Sequence, residues 1–144
     1  MKFLVVLALF GMLVASRANA QVPVTSAYIT PTVTKFQPYV DKVSASIGWV
    51  NSLGDTVHGT LYCYAHVTNA MTQQMQSVLV FSVWFTDVPS GFYTWNNNST
   101  PVLFRWSQYG PVQFLSVVYV FTLYAQAIGA TNYSVATATQ TSPQ

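Results

Sequence analysis

The stretch VHGTLYCYAHVT, Val57 to Thr68, alternates without a break. One set of alternate residues is Val57, Gly59, Leu61, Cys63, Ala65 and Val67; the other is His58, Thr60, Tyr62, Tyr64, His66 and Thr68. A period of two belongs to a β-strand, whose successive side chains leave on opposite faces. The first set is small and apolar and predicts contact with a core. The second is polar and aromatic and predicts a face that stays partly in water.

The flanking sequence reads the same way. Val43, Ala45, Ile47 and Trp49 alternate with Ser44, Ser46 and Gly48, and the turn-rich Asn51 to Asp55 then leads into the Val57 strand. This pair predicts a β-hairpin. Thr68 to Ser77 predicts a long hairpin loop or a single helical turn, with Met71 and Met75 on one face of the turn. Val78 to Val88, VLVFSVWFTDV, is almost continuously apolar and predicts a strand buried on both faces. Short strands are expected at Phe92–Trp95 and Val102–Trp106, with the polar loop Asn96–Thr100 between them. Val112 to Ile128 has the length of a short membrane span. Gln113, Ser116, Thr122 and Gln126 interrupt it, however, and its Val-Val-Tyr-Val-Phe centre favours a long strand. A membrane partner is therefore not expected. Tyr133 to Gln140 predicts the last strand, and residues 141–144 a loose tail. Residues 21–40, with Pro23, Pro31 and Pro38, predict an extended arm or an edge strand. The reading is one all-β domain over 41–140. The expected architecture is an antiparallel β-sandwich of seven or eight strands, with a closed β-barrel as the alternative.

The chain opens MKFLVVLALFGMLVASRANA. A basic residue, a short apolar run and Ala18-Asn19-Ala20 predict a secretory signal peptide over 1–20, and so a secreted, extracellular product. Beyond it the cations are Lys35, Lys42 and Arg105 and the anions Asp41, Asp55 and Asp87, a formal balance of zero. That excludes a basic nucleic-acid surface and leaves little repulsion between copies. A homo- or hetero-oligomer is the expectation. Cys63, the only cysteine, lies on the apolar side of its strand; the readings are a buried inert thiol or an intermolecular disulfide.

Catalytic chemistry finds little material. His58 and His66 sit eight residues apart on one strand, about 26 Å at ~3.3 Å per residue, too far to share a metal. No paired carboxylates and no nucleophile elbow are present, so no enzyme, cofactor or metal is expected. Three N-glycosylation sequons begin at Asn97, Asn98 and Asn132, with Pro101 weighing against Asn98. Phe92, Tyr93 and Trp95, together with Tyr62 and Tyr64, form a candidate ligand surface for a carbohydrate, a lipid headgroup or another hydrophobic ligand. Two functions remain open: a structural or storage component of an extracellular assembly, and a small module presenting an aromatic patch.

Over Leu61 to Asn96, the runs VLVFSVWF and GFYTWNN resemble the aromatic, membrane-binding half of the actinoporin-like sandwiches. The resemblance is a pattern of apolar and aromatic residues. That family also implies an amphipathic N-terminal helix, from which the proline-broken, nearly uncharged Gln21–Pro38 departs. No site residue is carried over.

Overall fold

The computed structural model describes residues 25–51, 56–89, 91–128, 130 and 133–143. The expected signal peptide, Asp55 and the sequon at Asn132 lie outside the described residues. Eight strands run in chain order: β1 Thr25–Gln37, β2 Val40–Asn51, β3 Val57–Asn69, β4 Gln74–Val88, β5 Gly91–Asn96, β6 Val102–Arg105, β7 Leu115–Ala127 and β8 Ser134–Thr141. They form two antiparallel sheets packed face to face as a β-sandwich, without barrel closure. The first sheet has β1 on one side of β2, and β5 and β6 end to end on the other. The second has the order β4-β3-β7-β8. No helix among the described residues is long and apolar enough to cross a membrane.

The core is the meeting of the two inner faces. Val43, Ala45, Ile47 and Trp49 of β2 face Leu61, Cys63, Ala65 and Val67 of β3 and the alternate residues Leu115 to Ala127 of β7. β3 and β7 each bury one register because its alternate residues are apolar. Inside this core one carboxylate is held by one hydroxyl: Tyr119 Oη donates to Asp41 Oδ2 at 2.7 Å, and Asp41 is 2% exposed. Burial, then the hydrogen bond to Asp41, push the Tyr119 phenol well above the usual tyrosine range. Cys63 is a buried free thiol, and desolvation pushes its pKa up to about 12. An intermolecular disulfide would need it at the surface.

Several expectations are corrected. β2 and β3 do not form a hairpin; they lie in different sheets, and β2 pairs with β1, β5 and β6 instead. Turn residues signal that the chain reverses but do not say into which sheet. Residues 70–73 form a tight turn rather than a long loop or helical turn: Asn69 pairs with Gln74, and Asn69 Oδ1 accepts from the amides of Met71 and Thr72. Met71 and Met75 are exposed. β4 is not buried on both faces, because it is the edge of its sheet; only Phe85 and Val88 of it are buried, and Trp84 is 73% exposed. The strand buried on both faces is β2. Its outer face carries small residues, and the Tyr28 ring covers Gly48 so closely that a Cβ there would collide with it. At the chain end Thr141 belongs to β8, and the buried Ser142 donates its amide to the Val117 carbonyl at 2.9 Å, so the loose tail does not begin at 141.

Candidate functional site

The polar register of β3 projects from the outer face of the second sheet. The ladders place its neighbours: Thr60 lies opposite Trp84 on β4 and Tyr124 on β7, Tyr62 opposite Ser82 and Thr122, and Tyr64 opposite Leu79 and Val120. Directly opposed residues share a face, so these rings and hydroxyls form one surface. A chain of tyrosines crosses it. Ring centroids are 6.3 Å apart for Tyr64 and Tyr62, 6.1 Å for Tyr62 and Tyr124, and 6.2 Å for Tyr124 and Tyr133.

At the Tyr133 end the surface deepens into a groove of about 400 Å³ lined by His58, Thr60, Trp84, Tyr124 and Tyr133 among others. The floor is low because Thr60 is small and both its cross-strand neighbours are large. Trp84 and Tyr124 stand on either side of it, two strand spacings or roughly 10 Å apart. His58 is held in place by Gln126. The Gln126 amide nitrogen donates to the Ala130 carbonyl, which turns Oε1 toward His58 Nε2 at 3.1 Å. Because Oε1 only accepts, the imidazole donates through Nε2 in this contact. Farther along, His66 Nδ1 meets Ser77 Oγ at 2.7 Å.

Among the described residues that line the groove none is charged, and the charge beside it is Asp87, which shares the β4 bulge opposite His58 with Thr86. The described charges are Lys35, Asp41, Lys42 and Arg105 on or beside the first sheet, and Asp87 near the end of β4. The surface therefore offers aromatic faces and neutral hydrogen-bonding groups. Among the described residues, no group of three or more His, Cys, Asp or Glu is placed to hold a metal ion.

The five residues expected to form a ligand surface are not brought together. Tyr62 and Tyr64 are on the tyrosine face. In β5, Tyr93 and Trp95 lie opposite Trp49 and Ile47 and point inward with them. There they pack with Phe85: Trp49 to Tyr93 is 4.5 Å and Phe85 to Trp95 is 5.6 Å between centroids. Burial raises the Tyr93 pKa. Phe92 points out, 70% exposed, but on the other side of the sandwich. The expected patch fails because a strand sends adjacent residues to opposite faces. Trp84, Tyr124 and Tyr133 join the site without having been expected there. A signal for Tyr124 is present in the alternation of Thr122, Tyr124 and Gln126 with apolar neighbours. Trp84 has none, since its run is apolar on both registers.

The sequon loop interrupts the strand that follows the edge of β2. Asn96 pairs with Ser46 and Val102 with Val43, so Ser44 and Ala45 face the loop instead of a strand. Asn97 fills the gap. Its backbone amide donates to the Ala45 carbonyl at 3.3 Å, and its Oδ1 accepts from the Ala45 amide at 2.9 Å. That bond leaves Nδ2, the atom that would carry a glycan. Asn98 is exposed on the turn.

No family model matches the chain, and no curated protein matches it. Among solved structures it is similar to a β-glucuronidase of Bacteroides uniformis, at 12% identity and TM-score 0.40 over 82% of this chain and 14% of that one. It is also similar to β-glucuronidase 2 of Bacteroides uniformis covalently bound to cyclophellitol-6-carboxylate aziridine, at 13% identity, TM-score 0.40, and the same shares of the two chains. A third likeness is to Spo0M, a sporulation control protein of Bacillus subtilis, at 12% identity and TM-score 0.40, over 81% of this chain and 48% of that one. The chain spans about a seventh of the glucuronidase length. These likenesses carry nothing about function.

Proposed function

We propose that the chain is a secreted, non-catalytic module that binds a neutral carbohydrate on the outer face of its second sheet. The observation that carries the reading is the charge-free groove in which Trp84 and Tyr124 flank Thr60. A pyranose ring has apolar C–H faces and a rim of neutral hydroxyls. Rings on both sides meet the faces, and His58, Thr60 and Thr86 meet the rim. The tyrosine chain from Tyr133 to Tyr64 extends the surface, which suits a polymer better than a monosaccharide. An anionic polysaccharide or a lipid headgroup phosphate would find no lysine or arginine in the groove lining. Secretion rests on the sequence of the first twenty residues.

The test is binding to a panel of neutral polysaccharides (chitin, cellulose, xylan, mannan) by pull-down and by calorimetry with soluble oligomers. At least one should bind, with little dependence on salt, and Trp84→Ala or Tyr124→Ala should weaken it at least tenfold. No binding across the panel, or unchanged binding in both variants, would overturn the reading.

A second reading, a component of an extracellular assembly, is favoured by β4. Gln74 to Thr86 is an edge segment with neither proline nor charge, the devices that usually keep edges from pairing. Sedimentation velocity in the same samples tests it: a saturable monomer supports the module alone, and a large oligomer supports the assembly.

A further inference from the structure

We propose that the end of the sandwich opposite the tyrosine groove holds a second site, for a small zwitterion of the amino-acid or betaine class. Six segments converge there on a cavity of about 200 Å³: the end of β1 with Lys35, the β1–β2 turn with Tyr39, the start of β2 with Asp41, Trp106 just after β6, Gln113 before β7, and Pro143 after β8. Lys35 and Asp41 are directly opposed across the β1–β2 ladder. The cavity thus presents one cation and one anion about 5 Å apart in Cα terms. A ligand with a single charge would satisfy one and confront the other with its like. A molecule carrying both charges satisfies both.

The carboxylate is unusual for this chain. Asp41 is 2% exposed, and the hydrogen bond the fold gives it comes from a neutral hydroxyl, that of Tyr119. A buried anion is costly without a compensating partner. A ligand ammonium would supply one. The aromatic walls suit the same pole: Tyr39 and Trp106 meet edge to face at 5.3 Å, and ring faces attract quaternary or primary ammonium groups.

Tyr39 gives the independent sign. It follows Pro38 in a two-residue turn and has φ of 66°, in the left-handed region where glycine or asparagine is preferred. A bulky aromatic held there costs free energy, and such residues concentrate at functional sites. Its ring lines the cavity and contacts Trp106, which glycine would not do. Size is consistent with the ligand class: 200 Å³ is the liquid volume of roughly seven waters at ~30 Å³ each, room for a betaine or a small amino acid.

The experiment uses glycine betaine and proline as probes in thermal-shift and calorimetric titrations of the full secreted chain. Sodium acetate and tetramethylammonium chloride, which carry one pole each, serve as comparators. A zwitterion should raise Tm saturably at millimolar concentration, and neither comparator should do so at the same concentration. Tyr39→Gly relieves the backbone and should fold at least as well as wild type while binding at least fivefold more weakly. Lys35→Gln should weaken zwitterion binding and leave carbohydrate binding unchanged. No saturable response to either zwitterion, equal response to the single-pole ions, or unchanged affinity in Tyr39→Gly would each overturn the proposal.

Discussion

Strands β2 and β4 exchange the places that their compositions suggest. β4 carries VLVFSVWF and is by far the more apolar of the two, yet it is a sheet edge with Met75, Leu79 and Trp84 exposed. β2 carries VSASIGWV, with serine and glycine on one register, and almost every residue of it is buried. The difference is one of neighbours. β2 has β1 on one side, β5 and β6 on the other, the second sheet on its inner face and the Tyr28 ring over Gly48. β4 pairs only with β3 among the described residues. Hydrophobicity reports what a strand is able to bury. Its place in the sheet sets what it does bury.

The largest expected effect sets the two tryptophans against each other. Trp49 on β2 is fully buried against Phe85 and Tyr93, so Trp49→Ala should cost about 3–5 kcal/mol. Trp84→Ala on β4 should stay within about 0.5 kcal/mol, as expected of an exposed position. Urea titrations of the two variants measure this directly. Comparable losses would mean that β4 is covered in solution and that the contrast does not hold.

A smaller effect probes how β2 is sealed. Asn97→Ala removes the acceptor of the Ala45 amide, and Ala45 is fully buried. An unmet buried donor costs about 1–3 kcal/mol. Asn98→Ala, one residue along and exposed, should be near neutral. Measured on unglycosylated protein, equal losses would show that the loop as a whole, rather than this bond, closes the gap.

A further effect is read in pH. Cys63 lies on β3, directly beside Phe81 of β4. Its pKa is about 12 in the folded state against 9.0 for the unperturbed thiol, so the folded state keeps the proton longer. Its contribution is full below pH 9 and is lost as pH rises toward 12. The raised Tyr119 phenol acts in the same direction. Tm should therefore fall across that window, and Cys63→Ala should make the fall shallower. An unchanged slope in Cys63→Ala would mean that β4 lets water reach β3 more freely than β2 would.

Much of the architecture is legible in local sequence pattern. Period-two alternation over Val57–Thr68 marks β3 and both its faces, because pleating enforces that period whatever the surroundings. The candidate site is only half legible. Tyr62 and Tyr64 come from the same alternation, but Trp84, Tyr124 and Tyr133 belong with them only through the ladders that set β4 and β7 on either side of β3. Tyr93 and Trp95 look like partners of Phe92 in one exposed patch, yet they pack half-buried against the core, since their strand pairs with Trp49 and Ile47.

By itself, then, the sequence determined the strand class, the polarity of each alternating face and the near absence of charge. All three follow from local chemistry. The tertiary structure alone decided which strands are central, that β2 and β3 part into different sheets, and that Lys35, Tyr39, Asp41, Trp106 and Gln113 meet around one cavity. Those outcomes depend on pairings between residues tens of positions apart, and no local period encodes which of two apolar strands will find partners on both of its sides.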